Sequence, residues 1–158
     1  MEELNQIPKD LVLYNLVKLK QLVFEVTDAC NLHCKYCAYA EMYDGYDQRT
    51  NMNLPFSKAK LVIDYLQDLW KRNKYHDLEK HVYIGFYGGE PLLNMKFIKQ
   101  IINYTKRLPY TGRIFNYCMT TNAILLDKHI DYLVENNFTL LISLDGDERG
   151  QSYRTDHI

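Results

Sequence analysis

Four short β-rich runs alternate with helical segments, and this alternation limits the fold more than any other feature of the chain. The runs are LVFEVT at 22–27, HVYIGFY at 81–87, RIFNYCM at 113–119 and FTLLISL at 138–144. Behind Ser57, a candidate helix cap, Leu61, Val62, Tyr65, Leu66, Leu69 and Trp70 recur at helical spacing. Phe97, Ile98, Ile101, Ile102 and Tyr104 form the apolar side of a second helix over 94–107, and 127–136 reads as a third. The order β-α-β-α-β-α-β predicts a parallel sheet joined by helical crossovers.

Residue parity within the runs narrows the choice of sheet. One face carries Glu25, Thr27, Tyr83, Gly85, Tyr87, Asn116, Cys118, Thr120, Ser143 and Asp145. The other carries Phe24, Val26, Val82, Ile84, Phe86, Phe115, Tyr117, Met119, Leu140, Ile142 and Leu144. A Rossmann-like sheet, covered by helices on both sides, would be apolar on both faces. A polar and aromatic face opposite an apolar one predicts an α/β fold of another kind. It is a partial, TIM-like (β/α) barrel of four parallel strands, with helices outside and a site inside. The unusual residues follow strand ends, the edge at which such folds bind ligands.

Composition removes several function classes. The 158 residues, 47% hydrophobic and 25% charged, suit one folded domain. A net charge of -1 leaves no basic footprint for nucleic acid. The apolar stretches fall far short of the roughly 20 residues that span a bilayer, and Met1-Glu2-Glu3 is unlike a secretory leader. Three of the 4 cysteines lie within eight residues, a clustering that suits metal ligation in a reducing compartment. A cytoplasmic protein with no membrane partner is the expectation.

That cluster is Cys30-Asn-Leu-His-Cys34-Lys-Tyr-Cys37. Three thiolates at CxxxCxxC spacing can hold three irons of a [4Fe-4S] cube and leave the fourth open to a small molecule. Structural zinc is the competing reading, with His33 or Cys118 as fourth ligand. Cys118 on its strand also reads as a small buried hydrophobe.

Together with three later segments, the cysteine motif resembles the radical S-adenosylmethionine (radical SAM) superfamily. Gly88-Gly89-Glu90-Pro91 looks like its GGEP motif after the second strand. Met119-Thr120-Thr121-Asn122 resembles its third-strand TNG segment. Ser143-Leu-Asp-Gly146, followed by Ser152-Tyr-Arg154, is similar to the fourth-strand segment of the peptide- and protein-modifying branch. That branch includes peptide maturases and anaerobic sulfatase-maturating enzymes. Ala123 departs from the family glycine, so the turn after Asn122 is not expected to rely on left-handed geometry. Gly150 stands where many relatives carry histidine.

The resemblance implies a [4Fe-4S] cluster on Cys30, Cys34 and Cys37, with S-adenosylmethionine on the fourth iron. Reductive cleavage would then yield a 5'-deoxyadenosyl radical that abstracts hydrogen from a substrate. Tyr36 is expected near adenine, and Gly88 and Gly89 at the methionine ammonium. Glu90 either joins that ammonium site or caps the following turn. Thr120 and Asn122 are expected at ribose or substrate, or as turn residues. Ser143 and Arg154 are expected at the cofactor's carboxylate, with ribose a second option for Ser143. The segment 38–53, with Tyr39, Tyr43 and Tyr46, has the length of a lid.

Four strands do not close a normal barrel. The chain is therefore expected to be an N-terminal portion, a natural truncation or one part of an assembly; the resemblance implies the N-terminal portion of a radical SAM core, with residues 1–20 an extension and 21–156 family-like. Its expected partners are a peptide or protein substrate, a reducing electron donor, and a second protein or copy at the exposed strand edge. A non-catalytic iron-sulfur or zinc-binding interaction module, and radical chemistry on a small molecule or nucleotide, are the alternatives.

Overall fold

The computed structural model describes residues 7–37, 49–73 and 80–154. The lid segment falls mostly outside them, including Tyr39, Tyr43 and Tyr46. Helix α1 (Lys9–Val17) leads into strand β1 (Gln21–Thr27), followed by α2 (Phe56–Arg72) and β2 (His81–Gly88). A 3-10 turn, Pro91–Asn94, opens α3 (Met95–Thr105), and β3 (Ile114–Thr121) follows. A second 3-10 turn (Leu126–Lys128) precedes α4 (Ile130–Glu135), β4 (Thr139–Ile142) and the short α5 (Glu148–Gln151). All strands pair in parallel, in the order β1-β2-β3-β4, as expected for part of a (β/α) barrel.

Helices cover one face of this sheet. Phe24, Val26, Ile84, Phe86, Tyr117 and Met119 meet Ile63 of α2, Ile98, Ile101 and Ile102 of α3, and Leu133 of α4. Full burial of each large apolar side chain is worth roughly 2 kcal/mol. Phe138, just before β4, stacks between Phe86 and Tyr117 at ring distances of 5.9 and 5.7 Å. The opposite face, with Tyr83 and Tyr87 exposed, is open. The two-faced pattern in the sequence thus becomes a covered outside and an open inside.

Three local expectations are corrected. The N-cap position of α2 is Pro55, not Ser57, and no side chain caps it. Its buried face is Ala59, Ile63, Leu66, Gln67 and Trp70, whereas Leu61, Val62 and Tyr65 point to solvent. Ile142 and Leu144, expected on the covered face, are 42% and 72% exposed. β4 is an edge strand and ends at Ile142, so the helices do not reach its far end. The stretch before β1, read from the sequence as an extension, contains α1. α1 packs near the strand N-termini, where Trp70 Nε1 donates to Leu16 O at 3.3 Å and Arg113 donates to Val17 O.

Candidate cofactor site

Thr27 ends β1, and the chain then turns across the C-terminal edge of the sheet into the cysteine loop. Two glycines let β2 meet that loop backbone to backbone. Gly89 N donates to Thr27 O and Glu90 N to Ala29 O, both at 2.8 Å. A Cβ at Gly88 would stand 2.2 Å from Thr27 O, and at Gly89 2.2 Å from Ala29 O. Gly88 also has φ +138, a conformation L side chains rarely adopt. The Gly-Gly pair is therefore needed by close approach.

Glu90 follows and is 1% exposed. Its Oε1 accepts from Leu92 N at 3.0 Å and from the Thr121 hydroxyl at 2.7 Å. Its Oε2 accepts from Asn122 N at 2.8 Å. The carboxylate thus caps the turn that follows it and ties the end of β3 to the end of β2. A buried carboxylate is tolerable because each oxygen faces donors.

Beyond that tie, Asn122 is fixed at both ends of its amide. Its Oδ1 accepts from Ile124 N at 3.1 Å, and its Nδ2 donates to Asn31 Oδ1 in the cysteine loop at 2.8 Å. Ala123 adopts φ +65 despite its side chain. The turn is left-handed after all, stabilised by Ala123 N donating to Thr121 Oγ1 at 3.0 Å.

The segment after β4 supplies the last wall. Arg154 donates to Asp145 through Nε (2.7 Å to Oδ2) and Nη2 (3.0 Å to Oδ1), and the Tyr36 hydroxyl donates to the same carboxylate. The Arg154 and Tyr36 bonds hold the Asp145 carboxyl down to about 2. Burial and the Asp145 bond push the Tyr36 phenol up to about 12. Lys35 N also donates to Tyr153 O at 3.1 Å, so the cysteine loop and the segment after β4 are joined twice. Gly150 has no room for a side chain, since a Cβ would lie 1.9 Å from Asp145 O.

These elements enclose one cavity of about 290 Å³. Its lining includes every site residue expected from the sequence: Cys30, Cys34, Cys37, Tyr36, Gly88, Gly89, Glu90, Thr120, Asn122, Ser143 and Arg154. Arg49 lines it too, donating to Cys37 Sγ at 2.9 Å and to Leu32 O at 3.1 Å. Cys118 lies in a second cavity of about 330 Å³ on the inner face, with Gln21, Val23 and Thr139, away from the three loop cysteines.

The donor set fits an iron-sulfur cluster in kind. Cys30, Cys34 and Cys37 are half-buried free thiols on one loop facing one cavity, and burial pushes the Cys34 thiol up. Among the described residues no three His, Cys, Asp or Glu side chains converge on a common metal position. Sequence reading missed Asp145 as a link, although parity had put it on the inner face. It also missed Thr121, and Arg49, which stands in a polar stretch without any motif.

Comparison with known proteins gives a consistent picture. The family described as the Radical SAM superfamily matches residues 24–154. The cysteine-type anaerobic sulfatase-maturating enzyme of Clostridium novyi is 32% identical over 143 residues, covering 87% of this chain and 36% of that one. The GTP 3',8-cyclase of Chlorobaculum tepidum is 34% identical over 110 residues, covering 70% of this chain and 28% of the other. The solved structure of native anSMEcpe with bound AdoMet superposes with a TM-score of 0.69 at 21% identity, over 87% of this chain and 36% of that one. The same protein with AdoMet and the Kp18Cys peptide gives 0.67, over 87% of this chain and 35% of that one. This chain thus spans little more than a third, or less, of each.

Proposed function

The chain belongs to the radical SAM superfamily, and on that premise we propose that it is the cofactor-binding portion of a radical SAM enzyme acting on a peptide or protein. The observation that carries this reading is the convergence of three loop cysteines, the Gly-Gly turn, Asn122, Ser143 and Arg154 on one cavity. Residues 21–156 would form that portion, with 1–20 an added helix-bearing segment.

Cys30, Cys34 and Cys37 would hold three irons of a [4Fe-4S] cluster. With S-adenosylmethionine bound, such a cluster supplies a 5'-deoxyadenosyl radical for hydrogen abstraction. The protein's part is to bind and orient. Gly88 and Gly89 border the cavity, and their carbonyls would accept from a methionine ammonium. Arg154, already oriented by Asp145, presents its remaining N–H groups to a carboxylate, alongside the Ser143 hydroxyl. Thr120 and Asn122 serve a ribose or the substrate, and the Tyr36 ring serves adenine. Glu90 works indirectly, by holding the Asn122 backbone.

A peptide substrate is favoured because the sulfatase-maturating relative matches more of this chain than the cyclase does. The reading also requires a one-electron donor and a reducing compartment. Among the described residues no helix is long and apolar enough to cross a membrane.

Electron paramagnetic resonance on anaerobically reconstituted, reduced protein, with iron and sulfide analysis, tests this. Near four irons and four sulfides per chain, with a signal altered by S-adenosylmethionine, is the expected result. Bound zinc, or a cluster indifferent to S-adenosylmethionine, would move the chain to a non-catalytic interaction module.

A further inference from the structure

Arg49 bridges two points of the cysteine loop. Its Nη2 donates to Cys37 Sγ at 2.9 Å and its Nη1 to Leu32 O, between Cys30 and Cys34, at 3.1 Å. Its position is set by the next residue. Thr50 N and Oγ1 donate to Asp28 Oδ2 at 2.8 and 2.9 Å. The chain then runs antiparallel to the end of β1, with Asp28 N donating to Met52 O at 3.2 Å and Leu54 N to Val26 O at 3.0 Å. The guanidinium is thus delivered to the sulfur by a segment stitched to the sheet.

We infer that Arg49 is a positioning residue that holds the cysteine loop and raises the reduction potential of a cluster bound there. This rests on the iron-sulfur reading above. Three thiolates make the site strongly anionic, and one-electron reduction adds a further negative charge. A cation hydrogen-bonded to a ligand sulfur favours the reduced, more negative state. Arginine suits the role because it stays charged, is weakly hydrated, and donates in two directions at once. Among the described residues, Cys30 receives the neutral Leu32 N–H, at 3.4 Å, and a long contact from Asn122 Nδ2 at 3.9 Å. Cys34 has the Tyr36 side chain as a hydrogen-bond partner and the Arg154 charge nearby, but among the described residues the cation hydrogen-bonded to a ligand sulfur is Arg49 at Cys37.

The test is an anaerobic redox titration of the reconstituted protein followed by electron paramagnetic resonance, with iron analysis and circular dichroism. Wild type, Arg49→Gln and Arg49→Lys are compared. Loss of a charge-assisted hydrogen bond is expected to lower the reduced-to-oxidised ratio at a given potential about tenfold in Arg49→Gln. That is a shift of about 59 mV to more negative potential for one electron. Arg49→Lys, which keeps the charge, restores part of it.

An Arg49→Gln protein with full iron and an unchanged midpoint would overturn the inference and leave the cluster reading intact. If both variants stay folded but hold no iron, the electronic role is overturned in favour of an architectural one. A wild-type protein without a cluster would overturn the functional reading itself.

Discussion

Asp145 and Arg154 close a turn after β4 with two parallel hydrogen bonds, and the same Asp145 carboxylate accepts the Tyr36 hydroxyl from the cysteine loop. One side chain thereby links the fourth strand, the chain after α5 and the residue preceding Cys37. Because Arg154 and then Tyr36 favour the charged form, the carboxyl is held at about 2. A carboxyl lowered by folding contributes stability above its unfolded value, about 3.9, and loses it as pH falls to the folded value. Carbon-13 titration is expected to give Asp145 a midpoint near 2, moving up toward about 3.9 in Arg154→Gln. The link should therefore persist at pH 4 and be lost as pH falls through about 2.

Glu90→Gln tests the buried carboxylate. An amide turns one acceptor into a donor that faces either the Asn122 N–H or the Leu92 N–H and Thr121 hydroxyl. An unsatisfied buried donor costs about 1–3 kcal/mol. Urea denaturation should show a loss in that range, and hydrogen exchange at the Asn122 amide should speed up.

Ala123→Gly should stabilise the protein. The left-handed conformation at φ +65 costs an L residue roughly 1 kcal/mol, which glycine avoids. Glycine's greater freedom in the unfolded chain offsets part of the gain. A rise in melting temperature checks the sign. An unchanged or lower value would mean that the turn does not hold this conformation in solution.

Gly89→Ala should do the opposite. Its Cβ would meet the backbone oxygens of Ala29 at 2.2 Å and Asp28 at 2.5 Å, and backbone cannot swing aside like a side chain. Overpacking of this kind costs about 1–3 kcal/mol. Iron incorporation is expected to fall along with stability, because the displaced segment carries Cys30.

Cys118→Ser and Cys34→Ser separate the two cavities. Cys118 faces Gln21 and Val23 rather than the loop cysteines, so its replacement should leave reconstituted iron unchanged. Cys34→Ser should abolish the intact cluster. Equal losses in both would place Cys118 among the ligands.

The sequence by itself determined the alternation of strands and helices and the polar-versus-apolar faces of β1, β2 and β3. It also carried the residues at the strand ends that gather at one cavity. These features are periodic or local: strand parity decides a face, and a glycine pair or cysteine spacing is visible without neighbours. Tertiary structure decided what depends on contacts between distant segments. The phase of α2 could not be read from a helix with apolar residues on two sides, because only packing on the sheet selects Ile63 over Leu61. The exposure of Ile142 and Leu144 follows from an edge position that residue parity does not encode. Glu90 meets Thr121 across 31 positions and Tyr36 meets Asp145 across 109. Arg49 reaches Cys37 only because Thr50 is anchored on Asp28. Hydrogen bonds of this kind act over about 3 Å, so they exist only once the chain has brought those atoms together.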